Sequence, residues 1–189
     1  WFMLSDSPPE RDVQWSLEGV SAAHKFIQKL WRLNSEILAK KDSNLKSDDI
    51  TLQKAVNKTI YNVTKNLDNF QYNVVIANIH EIYNLFSDHI IKNKTSNETL
   101  KHEWEKITML LIPFVPHLAH ECSKNLGKDF YWPKYDTTLL KDENFKIVVQ
   151  VDGKKRGLLD ISADAEEILV IKRSKEIDNV LKHISNVKI

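Results

Sequence analysis

Three side chains in one short stretch have metal-ligand character: His117, His120 and Glu121. Residues three and four apart on a helix share a face, so two imidazoles and a carboxylate there could reach one ion. A zinc site needs three or four ligands from side chains that converge. No second Cys/His cluster exists, so we read the pair as satisfied helix histidines with no metal. Cys122 is the single cysteine, which rules out an internal disulfide framework. It stands in an apolar helical context, where an inert buried thiol is expected. The four glycines, at 19, 127, 153 and 157, form no phosphate-cradling loop. No Ser-His-Asp or Cys-His arrangement has supporting context. No catalytic residue is expected in this chain.

The cations carry more. Lys25, Lys29 and Arg32 recur at helical spacing in a segment with five basic and two acidic residues, 17–41. Lys54, Lys58, Tyr61 and Lys65 form a second such row, with no acidic residue between Asp49 and Asp68. Lys154, Lys155 and Arg156 are consecutive beside Asp152-Gly153, a hairpin turn signal. Burying an unpaired charge costs several kcal/mol or more (~, by desolvation), so these three should face solvent or a polyanion. Each group taken alone reads as a solvated surface. Taken together they point to nucleic acid, because cations at helical spacing can follow a phosphate backbone.

The elements that must position these residues follow from the apolar pattern. The densest apolar run, Leu110 to Cys122, contains Pro113 and Pro116. A proline breaks a helix interior and suits a first helical position. One helix should therefore end near Ile112 and the next begin at Pro116, giving a central helix bent at Pro113–Pro116 with Phe114 and Val115 in the core. Gly127 should supply a left-handed C-terminal cap. Upstream, Ser16 caps a helix from about Leu17 to Lys41, whose inner face is read as Val20, Ala23, Ile27, Leu30, Asn34 and Leu38. Ser47, Asp48 or Asp49 caps a second, about Ile50 to Asp68, with Leu52, Val56, Thr59, Ile60, Val63 and Leu67 inward. A third spans about Asn73 to Asn93, and Asn97 caps a fourth that runs to Ile112. Before them, Ser5 to Asp12 is a loop, and Val13 to Trp15 an extended piece anchored by its indole.

After Gly127 the pattern changes. Lys128 to Asn144, with Tyr131, Trp132, Pro133 and Tyr135, reads as a strap over the bundle and then a linker. From Phe145 the period becomes two, which gives a hairpin. Asp164 then caps a helix, a short helix runs from about Ile177 to Ile184, and a strand begins at Val187 to Ile189. The fold class is mainly α: an antiparallel helical bundle followed by a small α+β (ββα) unit truncated at its last strand. Trp1 to Leu4 looks mid-element, so the chain is expected to be a piece of a longer protein.

The composition is that of a soluble globular chain, with 189 residues, 42% hydrophobic, 28% charged and net charge +1. No window reaches the ~18 apolar residues needed to span a bilayer, and no secretory signal is visible. A reducing, cytoplasmic setting is expected, and the Asn-x-Thr triplets are read as chance.

Several of these stretches match one family in order and spacing. Ser5-Asp6-Ser7-Pro8-Pro9-Glu10-Arg11-Asp12-Val13-Gln14-Trp15, Leu111-Ile112-Pro113-Phe114-Val115-Pro116-His117-Leu118-Ala119, Trp132-Pro133 and Gln150-Val151-Asp152-Gly153-Lys154-Lys155-Arg156-Gly157 together resemble the C-terminal third of bacterial-type leucyl-tRNA synthetases. Asp152, His120 and Cys122 depart from that family's usual residues. The resemblance implies a class I synthetase that charges tRNA(Leu) with leucine, using ATP and Mg, with its catalytic and editing domains outside this chain. It implies a stem-contact loop at 1–15, a helical anticodon-binding domain at 16–135, a linker at 136–143 and an incomplete C-terminal domain at 144–189. No cofactor is expected here, and the protein is expected to be a monomer. The expected backbone contacts are Arg11, Lys25, Lys29, Arg32, Lys54, Lys58, Lys154, Lys155 and Arg156. The bent helix also resembles valyl and isoleucyl enzymes, and a protein-interaction bundle with solvated basic faces is the remaining alternative.

Overall fold

The computed structural model describes residues 1–41, 49–127, 129–140, 144–162 and 165–184. The caps expected at Ser47, Asp48 and Asp164, the start of the strap at Lys128, the last three residues of the linker, 141–143, and the closing strand at 187–189 lie outside the described residues. The chain divides into two compact units, Trp1–Leu140 and Lys141–Ile189.

The first unit is a bundle of α1 (Phe2–Ser5), α2 (Leu17–Ala39), α3 (Asp49–Asp68), α4 (Tyr72–Ile91), α5 (Asn97–Leu110) and α6 (Pro116–Asn125). α3 packs against α4 and α5, and α2 packs against α4, α5 and α6. Ser16 caps α2, its hydroxyl accepting from the Gly19 amide at 3.1 Å. The buried side of α2 is Phe26, Leu30, Leu33, Asn34 and Ile37. That face is rotated from the expected one, and Val20, Ala23 and Leu38 are only partly covered. Phe26 decides the rotation: its ring meets Trp1, His80 and Tyr83, and an aromatic ring buries far more area than Ala or Val.

α5 begins one residue away from the expected cap. Ser96, not Asn97, accepts from the Thr99 amide. Ser96 and Thr99 also donate to the Asp49 carboxylate at 2.9 and 3.0 Å, which joins the starts of α3 and α5. Asn97 instead donates to the Lys40 carbonyl at 2.7 Å and fastens the end of α2. Trp104 of α5 sits at the centre, fully buried. Its indole donates to Asn34 Oδ1 on α2 at 3.0 Å, and its ring meets Phe86 of α4 edge-on at 5.3 Å. One side chain thus ties three helices together. The chain then turns at 111–114 and starts α6 at Pro116, with Phe114 buried and Gly127 left-handed at φ +69°, as the prolines and the glycine require. Trp15 does not anchor anything deep: it is 67% exposed, touches Phe2 by an edge, and 11–15 forms no strand.

The second unit is an antiparallel hairpin, β1 (Asn144–Val151) and β2 (Lys154–Ser162), with α7 (Glu167–Lys175) and α8 (Asp178–Ile184) against it. Asp152 and Gly153 both have positive φ, 52° and 72°, the geometry of a two-residue type I′ turn. Ile161 and Val180 are its buried apolar side chains among the described residues. Gly157 lets α8 approach, since a Cβ there would lie 2.9 Å from Ile177 Cδ1.

Trp104→Phe should lower bundle stability by about 2–4 kcal/mol, combining lost volume with an unpaired buried Asn34 amide. Urea unfolding followed by circular dichroism measures it; a loss under about 0.5 kcal/mol would remove Trp104 from the centre of the account.

Candidate nucleic-acid interface

α3 carries the most ordered basic row. Leu52, Val56, Ile60 and Val63 are buried in the core. At 3.6 residues per turn, the side roughly opposite is Lys54, Lys58, Tyr61 and Lys65. Lys58 and Lys65 are exposed, while Lys54 and Tyr61 are half-buried. Lys65 shares the helical spacing of the other two, so its place in the row was legible although it is not among the expected contacts.

The segment 130–136 runs beside this row. Asn57 of α3 grips its backbone from both sides: Nδ2 donates to the Asp136 carbonyl at 2.8 Å, and Oδ1 accepts from the Asp136 amide at 2.6 Å. The Trp132 indole donates to Thr64 Oγ1 of α3 at 3.0 Å. Pro133 is buried. Tyr135 meets Tyr61 edge-on at 5.2 Å. The Tyr131 hydroxyl donates to Glu105 of α5 at 2.9 Å. Burial pushes that phenol up to about 12, with the Glu105 carboxylate adding to the effect, so it stays a donor. The Asp136 carboxylate is occupied locally by the Thr138 hydroxyl and amide, which hold it below the usual carboxylate range. Trp132, Lys134 and Tyr135 nonetheless remain exposed. Their place beside the row depends on Asn57 and Thr64, contacts across 68 and 79 residues that no periodicity reveals.

Lys25, Lys29 and Arg32 are all exposed and share one side of α2. Lys29 lies close enough to His80 of α4 to act on it: burial pushes the imidazole down, and the Lys29 charge pushes it further. The α2 and α3 rows are each coherent, but α3 packs on α4 and α5 and α2 on α5, α6 and α4 rather than on each other. Arg11 is exposed in the loop, where its amide donates to the Pro8 carbonyl at 3.0 Å. In the second unit, Lys154 and Lys155 are exposed beside the turn. Arg156 is placed differently from these two lysines. The register pairs Gln150 with Lys155 and Val149 with Gly157, so Arg156 is the extra residue of a β-bulge. It is half-buried, and its Nε is enclosed without a hydrogen-bond partner.

His117 and His120 are exposed on α6. Among the described residues no three His, Cys, Asp or Glu side chains are placed to hold an ion. Cys122 is buried, and burial with the Glu121 charge lifts its thiol to about 12, which keeps it unreactive.

The family model for the anticodon-binding domain of tRNA ligase matches residues 49–171. The chain belongs to that family. Its anticodon-binding domain match begins at the first residue of α3 and ends within α7, so it takes in the α3 row, the segment 130–136 and the hairpin. Curated relatives include the leucine–tRNA ligase of Chelativorans sp. strain BNC1, 38% identical over 98% of this chain and 23% of its own length. That of Fusobacterium nucleatum is 32% identical over 100% of this chain and 24% of its own length. The chain thus spans about a quarter of the relatives it matches. Among solved structures, the Agrobacterium radiobacter K84 agnB2 LeuRS–tRNA–LeuAMS ternary complex is similar, with TM-score 0.83 and 21% identity, over 98% of this chain and 26% of that one. The likeness establishes the same fold.

The His80 geometry has a pH consequence. Its folded-state affinity for a proton is depressed, so below about pH 6.5 the unfolded chain binds the proton first. The stability that neutral His80 contributes is present above that pH and is lost as pH falls through the depressed value. His80→Gln should flatten the decline in stability between about pH 7 and 5, and Lys29→Gln should raise the His80 titration midpoint by NMR. An unmoved midpoint would contradict the placement of Lys29.

Proposed function

We propose that this chain is the tRNA-binding region of a leucine–tRNA ligase and that it grips tRNA(Leu) through phosphates more than bases. The observation that carries the reading is the alignment of nearly the whole chain with leucine–tRNA ligases at 32–38% identity. The exposed rows Lys25–Lys29–Arg32 and Lys58–Lys65 and the hairpin pair Lys154–Lys155 support it, since such contacts fix register on RNA without reading sequence. Arg11, Lys54 and Arg156 complete the proposed contacts, with Arg156 reaching RNA only by its guanidinium tip.

In the whole protein, leucine would be joined to tRNA(Leu) with ATP and Mg²⁺. The residues here do not fit those groups: the glycines are scattered, and no ion-holding cluster stands among the described residues. That chemistry and editing would belong to the rest of the protein, with this region orienting the tRNA toward it. We place the protein in the cytoplasm as a monomer; no helix among the described residues is long and apolar enough to cross a membrane.

Fluorescence anisotropy with a tRNA(Leu) transcript tests the reading. The dissociation constant should rise steeply between about 50 and 200 mM salt. Neutralising Lys25, Lys29 and Arg32 together, or Lys154 and Lys155 together, should flatten that dependence by roughly 0.7–0.9 per lost contact. A tRNA without a long variable arm should bind more weakly. Salt-independent binding, or none, would reject the reading.

A further inference from the structure

The segment 130–136 and the α3 row together have the composition of a single-strand RNA platform, and we propose that this surface stacks an unpaired nucleotide on Trp132 or Tyr135 while the lysines beside it hold the adjoining phosphates. The inference deepens the tRNA-binding reading and rests on it. Trp132 is 40% exposed and Tyr135 38% exposed, although both belong to a segment fastened to the bundle. Phe130 and Tyr131 of the same segment are exposed as well, at 47% and 43%, so exposure alone does not single out Trp132 and Tyr135. Their ring positions are fixed from below: Thr64 takes the Trp132 indole N–H, Tyr61 supports Tyr135, and Asn57 locks the backbone at Asp136.

Rigid exposed rings lose little freedom on binding and offer a π-face to any base. The flanking charge selects a polyanion. Lys58 and Lys65 project from α3 on the neighbouring side, and Lys134 lies between the two rings in sequence. Among the described residues Lys65 and Lys134 make no ion pair. Of the carboxylates around them, Asp136 accepts from Thr138, Glu105 from Tyr131, and Glu103, which lines a cavity with Lys134, is paired with Lys106, while Glu81 lines the cavity between α3 and α4 beside Lys58. A protein partner seated on apolar area alone would have no use for this row. A duplex would engage the lysines but leave the rings idle, because its bases are already stacked.

The test compares wild type, Trp132→Ala, Tyr135→Ala, Trp132→Phe, the double variant Lys65→Ala with Lys134→Ala, and Trp31→Ala on α2, 41% exposed, as a tryptophan control off this surface. The probes are a tRNA(Leu) transcript, a 12-nucleotide oligouridylate and a 12-base-pair RNA duplex, each titrated across salt. Wild type should bind the oligouridylate more tightly than its charge alone gives in the duplex. Trp132→Ala or Tyr135→Ala should weaken tRNA(Leu) and oligouridylate about fivefold or more, leave the duplex unchanged and preserve the salt slope. Trp132→Phe, which keeps a ring, should recover most of the affinity. The lysine double variant should instead lower the slope on all three probes. Unchanged tRNA(Leu) affinity in both alanine variants, or equal losses on duplex and single strand, overturns the platform while leaving tRNA binding intact. Absence of tRNA(Leu) binding by wild type overturns both readings. Trp132→Phe and the wild-type comparison of probes decide the matter even should an alanine variant unfold.

Discussion

The structure depends on the burial of one apolar stripe. Leu52, Val56, Ile60 and Val63 enter the core from α3, and each such side chain contributes about 1.5–3 kcal/mol when fully covered. Like charges four residues apart on a helix surface oppose this by only about 0.2–0.5 kcal/mol per pair. The stripe therefore sets the rotation of α3, and Lys54, Lys58 and Lys65 are directed away from the core whatever their mutual repulsion. The basic row is a consequence of packing, and the flank between the stripe and the row supplies Asn57 and Thr64 to fix the segment 130–136.

The two units are built on different terms. The bundle has a continuous core in which Trp104 joins α2, α4 and α5, and buried polar groups such as Asn34 and Asn97 are used as ties between helices. The second unit has few buried side chains among the described residues and relies on the type I′ turn, the strand ladder and the close approach of Ile177 to Gly157. A bulge at Arg156 bends the strand just after two exposed lysines. The unit with the thinner core thus devotes its best-defined geometry to presenting Lys154 and Lys155.

Much of this was legible in the sequence, for identifiable reasons. Strong punctuation fixed boundaries: Ser16, Pro116, Gly127 and Asp152-Gly153 each do locally what their chemistry demands, and the apolar period located the helices. The period was less informative about rotation where two stripes overlap. On α2 it favoured Val20, Ala23 and Leu38, whereas the ring of Phe26 found partners at Trp1, His80 and Tyr83 that lie elsewhere in the chain. Ser96 displaced Asn97 as cap because Asn97 had a better use at Lys40. The interface beside α3 was only half visible. The lysine spacing is in the sequence, but the alignment of Trp132 and Tyr135 with it is created by hydrogen bonds between distant residues. Nothing in a run of three cations marks Arg156 off from Lys154 and Lys155; the bulge in the strand pairing does.

On the proposed reading, the outward side of α3 and the adjoining strap form the RNA contact surface of the bundle. Lysine acetylation of the 189-residue chain, read by mass spectrometry with and without tRNA(Leu), tests it most directly. The account predicts that Lys58, Lys65 and Lys134 lose reactivity when tRNA(Leu) is bound, while Lys92, ion-paired with Asp88 near the end of α4, is unaffected. Equal reactivity of Lys58, Lys65 and Lys134 in the free and bound protein would contradict it.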